Sequence, residues 1–348
     1  MPTLPYAAAR LGRWFAVLLL AGCAVSHQAP AASGGSQEQE PSVAALQRAH
    51  AAVVGVLVNA IAEARSTESL GRQRSGSGVV IGPDGLVLTI GYLLLEAENI
   101  QVVTQDGRTL PARTVAYDLA TGFGLLRPLL PLRGIASVPL GSIEGLAPGD
   151  ALMVVTGGED ADIALTHVVG KRPFSGYWEY HIEAALFTSP PVAHHGGAAV
   201  FNRRGELLGV GSLFVGDATG SGRRMPGNLF VPVDLLKPIL TELQRTGTTR
   251  QSRRPWLGLN SIEREGRVHV LRVSQESPAQ AAGLRPGDVV LAVDDTRVAT
   301  LEAFYKKLWD RGSPDADVRL TVQRAEEIRD VTVRAVDRMS TLARPAGI

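Results

Sequence analysis

The sequence predicts a mostly β protein of sandwich or barrel architecture, on three observations. Short β-rich runs recur between Gly78 and Gly216, among them Val79 to Ile81, Leu86 to Thr89, Ile100 to Thr104, Ala151 to Val155 and Leu207 to Phe214. Turn residues separate them: in Pro83-Asp84-Gly85 and Asp106-Gly107 a glycine supplies the positive φ that a tight turn needs, without a steric cost. The composition agrees, with 45% hydrophobic residues, 38 glycines and 21 prolines. Many short strands at this spacing indicate a closed or two-layered β structure.

The 348 residues are enough for two domains plus extra segments. Aromatic residues make up only 5%, too few for nucleobase stacking platforms, and a formal net charge of +1 gives no field to capture a polyanion. Nucleic acid is therefore excluded as a partner. The basic run Arg250 to Arg254 is short enough to be a solvated linker.

The chain has one cysteine, and its place is informative. Arg10 and Arg13 precede the apolar stretch Trp14 to Leu20, which runs into Ala21-Gly22-Cys23. A charged start, a short apolar segment and small residues make an export signal too short to span a membrane. The Leu20-Ala21-Gly22-Cys23 ending resembles the bacterial lipobox. That resemblance implies acylation of Cys23, a periplasmic lipoprotein anchored in the bacterial cell envelope, and no disulfide partner. Ala24 in the next position favours the outer membrane in a Gram-negative cell. The expected organisation is a signal peptide over 1–22, a flexible tether over 23–45, a β domain over 46–246, a linker over 247–254, a second domain over 255–338 and a tail over 339–348. Within the β domain, residues 62–74 read as a charged surface loop and Val233 to Thr246 as a helix.

From Gly76 to Arg127 the chain reads GSGVVIGPDGLVLTIGYLLLEAENIQVVTQDGRTLPARTVAYDLATGFGLLR. This resembles the first barrel of the HtrA/DegP family of trypsin-like serine proteases, nearly without gaps. The resemblance implies two packed six-stranded β-barrels. Trp256-Leu257-Gly258-Leu259 and the string Ser277-Pro278-Ala279 to Asp288 resemble the family's C-terminal α/β PDZ domain. Together the similarity covers roughly residues 46–336.

The family's triad histidine falls on Tyr92 and its aspartate on Gly122. Its serine falls on Gly196 if Val200-Phe201-Asn202 sets the register, or on His195 if the Gly196-Gly197 pair does. A serine nucleophile needs an imidazole to take its proton and a carboxylate to orient that imidazole. A phenol with a reference pKa of about 10 is a poor base at neutral pH. The expectation from these positions is a protein that is not an enzyme, a pseudoprotease. Ser189, Ser212, His167, His181, His194 and His195 remain as candidates by residue type for a site built elsewhere. Neither a cofactor nor a metal is expected, since no carboxylate or second cysteine stands at ligand spacing beside His194 and His195.

The PDZ resemblance implies that successive N–H groups of Trp256 to Leu259 receive the terminal carboxylate of a peptide lying along that segment. Leu301, Phe304, Tyr305 and Leu308 recur at i, i+3, i+4 and i+7 and form one helical face opposite it. The functional expectation is a scaffold or regulator of envelope protein quality control that binds protein C-termini or unfolded segments. Two alternatives stand beside it: a serine endopeptidase with an unorthodox site, and a lipoprotein that uses the barrels only for assembly. The family resemblance leaves homo-oligomerisation open.

Overall fold

The computed structural model describes residues 43–159 and 161–343. The expected signal peptide, Cys23 and most of the tether lie outside the described residues. Helix α1 (Val43–Ala51) leads into the first barrel, formed by β1 (Val53–Ala60), β2 (Gln73–Val80), β3 (Val87–Ile90), β4 (Ala97–Val103), β5 (Thr109–Tyr117) and β6 (Phe123–Pro128). These close in the order β1-β2-β3-β6-β5-β4. The second barrel uses β7 (Ala151–Val155), β8 (Ile163–Gly176), β9 (Tyr180–Ser189), β10 (Ala199–Phe201), β11 (Leu207–Val215) and β12 (Gly227–Pro232), closed as β10-β11-β12-β9-β8-β7. The two six-stranded barrels match the expectation.

Closure removes free edges, and strands packed on both faces lose the alternation of a half-buried strand. β3 (VLTI) and β12 (GNLFVP) are buried at every residue. Phe123, Phe187 and Phe201 fill one shared core, while Leu152, Val154, Leu186 and Phe230 make a second cluster inside the second barrel. Gly85 and Gly107 take φ of 77° and 83° at the two turns read from the sequence.

The C-terminal unit holds β13 (Pro255–Trp256), β14 (Leu259–Arg264), β15 (Arg267–Val273), β16 (Val289–Val293), β17 (Thr296–Arg297), β18 (Asp317–Arg324), β19 (Glu327–Arg334) and β20 (Val336–Asp337). The main sheet runs β14-β15-β16-β18-β19, with β17 on β16, and β13 pairs separately with β20. The expected helical face is confirmed in an α-helix over Leu301–Trp309, capped at its N-terminus by the Thr300 side chain, which accepts from the Ala303 N–H. Leu301, Phe304, Tyr305 and Leu308 are its buried residues.

Three local expectations are corrected. The loop over 62–74 contains a short helix, Thr67–Leu70, and the start of β2, whose Arg74 is buried against the Leu95 carbonyl and the Ser66 hydroxyl. The helix expected over Val233 to Thr246 begins only at Leu240. Pro238 lacks the N–H that an α-helix needs there, so the chain turns from Val233 to Ile239 before the helix starts. The segment 247–254 is no free linker: Thr249 and Ser252 are buried and both donate hydrogen bonds to Oδ1 of Asp118.

Asp118 is fully buried, and its other oxygen accepts from the N–H and hydroxyl of Thr121. One carboxylate therefore closes the β5–β6 turn and pins the segment leading to the second domain. Replacing Asp118 with alanine leaves these buried donors unmatched, and we expect a loss of about 2–3 kcal/mol in unfolding free energy. Urea denaturation should show a lower midpoint at an unchanged slope. A loss under about 0.5 kcal/mol, the scale of an ordinary surface change, would contradict this role.

Candidate functional site: the barrel junction and the carboxylate loop

The positions aligned with the triad do converge between the barrels. A short 3₁₀ turn, Gly91–Leu94, presents Tyr92, and Arg74 donates to the carbonyls of Tyr92 and Leu95 at its end. The Gly91 N–H donates to the Gly122 carbonyl at 2.7 Å. Gly122 sits at φ 83°, and a Cβ there would come 3.3 Å from the Tyr180 hydroxyl. A Cβ on Gly196 would lie 2.7 Å from the Tyr92 hydroxyl, so position 196 is the one that faces Tyr92. His195 turns its Nδ1 to the Ala193 carbonyl at 3.1 Å instead.

The Tyr92 hydroxyl donates to the Ser212 carbonyl at 3.3 Å. Burial disfavours the phenolate and pushes its pKa up to about 12. At neutral pH Tyr92 can donate a hydrogen bond but takes no proton. Burial also lowers the pKa of His195, which keeps that imidazole neutral.

A different pair is within hydrogen-bond reach. Ser175 on β8 and His181 on β9 place Oγ and Nδ1 2.9 Å apart. His181 Nε2 lies 3.6 Å from the Glu183 carboxylate. Burial lowers the His181 pKa against the opposing pull of Glu183 and Glu302, so the ring is neutral at pH 7. It borders a cleft of about 480 Å³ between the second barrel and the C-terminal unit, lined also by Thr121, Arg254, Lys306 and Trp309. Residue type alone had named His181 but had no reason to select Ser175, because the strand pairing that joins them is invisible in spacing.

His181, Glu183 and Glu302 also bring three ligand-type atoms within 4.8 Å of one another. The Lys306 ammonium already bridges Glu183 and Glu302, at 2.8 and 2.7 Å. The cluster thus has its own cation. Of the remaining candidates, Ser189 donates to the Pro226 carbonyl, and His167 pairs with Ser189 only through the backbone ladder.

The second site is the loop Trp256-Leu257-Gly258-Leu259. Gly258 takes φ 86°, and a Cβ there would sit 2.3 Å from that of Ser277, so only glycine fits. The N–H groups of Leu257, Gly258 and Leu259 converge on one carboxylate at 3.0, 2.8 and 2.7 Å. That carboxylate is the side chain of Glu179, from the three-residue tip of the β8–β9 hairpin. Tyr305 grips the same tip, donating to the Gly176 carbonyl at 2.8 Å and accepting from the Glu179 N–H at 3.3 Å. Leu257, Leu259, Leu301, Phe304 and Leu308 are all buried in one cluster, with Trp256 half-buried at its margin. The sequence located the loop and the helix; it gave no sign of Glu179, 78 residues upstream of Leu257.

The fold and the two sites define the class: a trypsin-like peptidase domain, matching residues 76–210, joined to a PDZ domain, matching residues 255–335. This chain's relatives and structural neighbours are HtrA- and DegP-type serine proteases. It is 28% identical over 283 residues to a probable periplasmic serine endoprotease DegP-like of Halomonas elongata, covering 76% of this chain and 57% of that one. It is 24% identical over 300 residues to the serine endoprotease DegS of Haemophilus influenzae, covering 83% and 85%. Among solved structures it resembles the HtrA-type protease AlgW with tripeptide at a TM-score of 0.51 and 20% identity, covering 84% and 95%. The chain thus spans little more than half the length of the Halomonas relative.

These relatives overturn the expectation, drawn from Tyr92, Gly122 and Gly196 or His195, that the chain is no enzyme: they are serine endoproteases by name. Reading three aligned positions tests those positions alone, and it cannot detect a hydroxyl and an imidazole paired elsewhere, as Ser175 and His181 are.

Stability linked to the neutral Tyr92 phenol is fully present below the unfolded phenol's pKa of about 10 and is lost as pH rises toward about 12. Absorbance titration at the phenolate band, wild type minus Tyr92→Phe, should show no step near pH 10. A step there would place Tyr92 in water.

Proposed function

We propose that the chain is a serine-type endopeptidase of the bacterial envelope that recognises protein segments by a C-terminal carboxylate at its PDZ loop. The observation that carries the recognition step is the convergence of the Leu257, Gly258 and Leu259 N–H groups on one carboxylate. Three such donors form a nest for an anionic group, and an incoming chain can add to the edge of β14 as an extra strand. The buried faces of Leu259, Phe304 and Leu308 suit an apolar last residue.

Hydrolysis is proposed from the relatives' names, and for that step the geometry favours Ser175 and His181. A neutral imidazole 2.9 Å from a hydroxyl can take its proton, and Glu183 can stabilise the imidazolium that results. Export and acylation at Cys23 complete the reading, with the outer membrane as the site in a two-membrane cell; the word periplasmic in the Halomonas relative's name supports an envelope location.

Three measurements test this. A fluorescein-labelled decapeptide ending in Ala-Val-Leu should bind as the free acid and lose binding at least about tenfold as the C-terminal amide, the scale of one charge-assisted hydrogen bond. Equal binding of the two would remove the carboxylate from recognition. A fluorophosphonate probe should label the purified protein, with labelling and casein cleavage lost by about 10³-fold or more in Ser175→Ala. Labelling that survives in Ser175→Ala would move the nucleophile elsewhere, and an unlabelled wild type would end the hydrolytic reading. Cys23→Ala should shift the protein from membrane to soluble fractions; unchanged fractionation would contradict the anchor.

A further inference from the structure

The PDZ loop of this chain is already occupied, by the chain itself. We propose that Tyr177 to Glu179, at the tip of the β8–β9 hairpin, is an internal ligand that holds the peptide groove shut until a C-terminal carboxylate displaces it. The proposal rests on the reading of the loop as a carboxylate receptor, and it adds what controls access to it.

Two contacts reproduce what a bound peptide end would make. The Glu179 carboxylate takes the loop's three N–H groups at 3.0 Å or less. The Tyr177 carbonyl, two residues earlier, accepts from the Ser261 N–H at 2.8 Å, which is one rung of strand addition to β14. Tyr305, from the helix across the groove, fixes the tip through Gly176 and the Glu179 N–H. Glu179 is 4% exposed, and the groove-lining Leu257, Leu259, Phe304 and Leu308 are 0–1% exposed, so no peptide reaches them in this arrangement.

The plug is held at a cost, which makes it displaceable. Glu179 lies at φ 56°, a left-handed conformation that a glutamate adopts under strain. Burial pushes its carboxyl pKa up, against the three amides and Arg338, so this position disfavours the charged form. A peptide with a flexible C-terminus makes the same contacts without that backbone conformation. Because the internal ligand is tethered, it competes at high effective concentration, and a peptide's apparent affinity is reduced by the fraction of time the loop is free.

The test is peptide affinity of the full mature chain, with the same labelled decapeptide as free acid and as amide. Glu179→Ala should bind the free acid at least about tenfold more tightly than wild type, as expected when a receptor closed for most of the time is opened. Glu179→Gln, which keeps the shape and loses the charge, and Tyr305→Phe, which loosens the tip while leaving the loop intact, should move in the same direction by less. Equal affinity in wild type and Glu179→Ala, with each protein's fold confirmed by far-UV circular dichroism, would overturn the internal-ligand proposal while leaving the recognition reading standing. If neither wild type nor any variant distinguishes the free acid from the amide, the recognition reading falls, and the proposal with it.

Discussion

The structure turns on one buried carboxylate shared between two domains. Glu179 belongs to the second barrel by sequence and to the PDZ loop by hydrogen bonding. A charge that buried is tolerable only where donors replace its water. The loop supplies three, and because they are backbone N–H groups, no side-chain rotation can withdraw them. This fixes the hairpin against the Leu301–Trp309 helix, where Lys306 meets Glu183 and where His181, paired with Ser175, borders the cleft. The PDZ loop, the hairpin and the cleft therefore meet through a few residues around Glu179.

A second carboxylate works at the connection between the domains. Asp118 gathers Thr121 from the first barrel and Thr249 and Ser252 from the connecting segment. Arg254 then leaves that segment and stacks on Trp309, 3.4 Å from the ring centroid, while reaching back to the Leu119 carbonyl. Contacts of this kind combine a stacked guanidinium with hydrogen bonding, for which lysine would be a poor substitute. The connection is thus fastened at both ends, by Asp118 and by Trp309, and is not a free tether.

What the sequence made legible follows from how local each signal is. The Pro83-Asp84-Gly85 turn, the apolar strands and the Trp256-Leu257-Gly258-Leu259 loop are set by neighbouring residues, and they stand where expected. Tyr92, Gly122 and Gly196 do converge, although each sits in a turn or loop beside a strand rather than within one. The missed features need long-range pairing. Thr249 and Ser252 look like linker residues until Asp118 comes within reach, and Glu179 looks like a solvated hairpin charge until the loop closes on it. Ser175 and His181 become partners through the pairing of β8 with β9, in which the Ser175 and His181 backbones face each other. Pro238 was visible in the sequence, yet the apolar spacing around it suggested a longer helix than proline permits.

In the protein without peptide, Glu179 holds the loop amides. Hydrogen exchange at the Leu257, Gly258 and Leu259 amides of the mature chain measures this directly. All three should exchange slowly in wild type and faster by about tenfold or more in Glu179→Ala, with Val290 and Leu320 in the PDZ core unchanged. Rapid exchange of the three loop amides in wild type would show that the loop stands open, and would contradict this hold by Glu179.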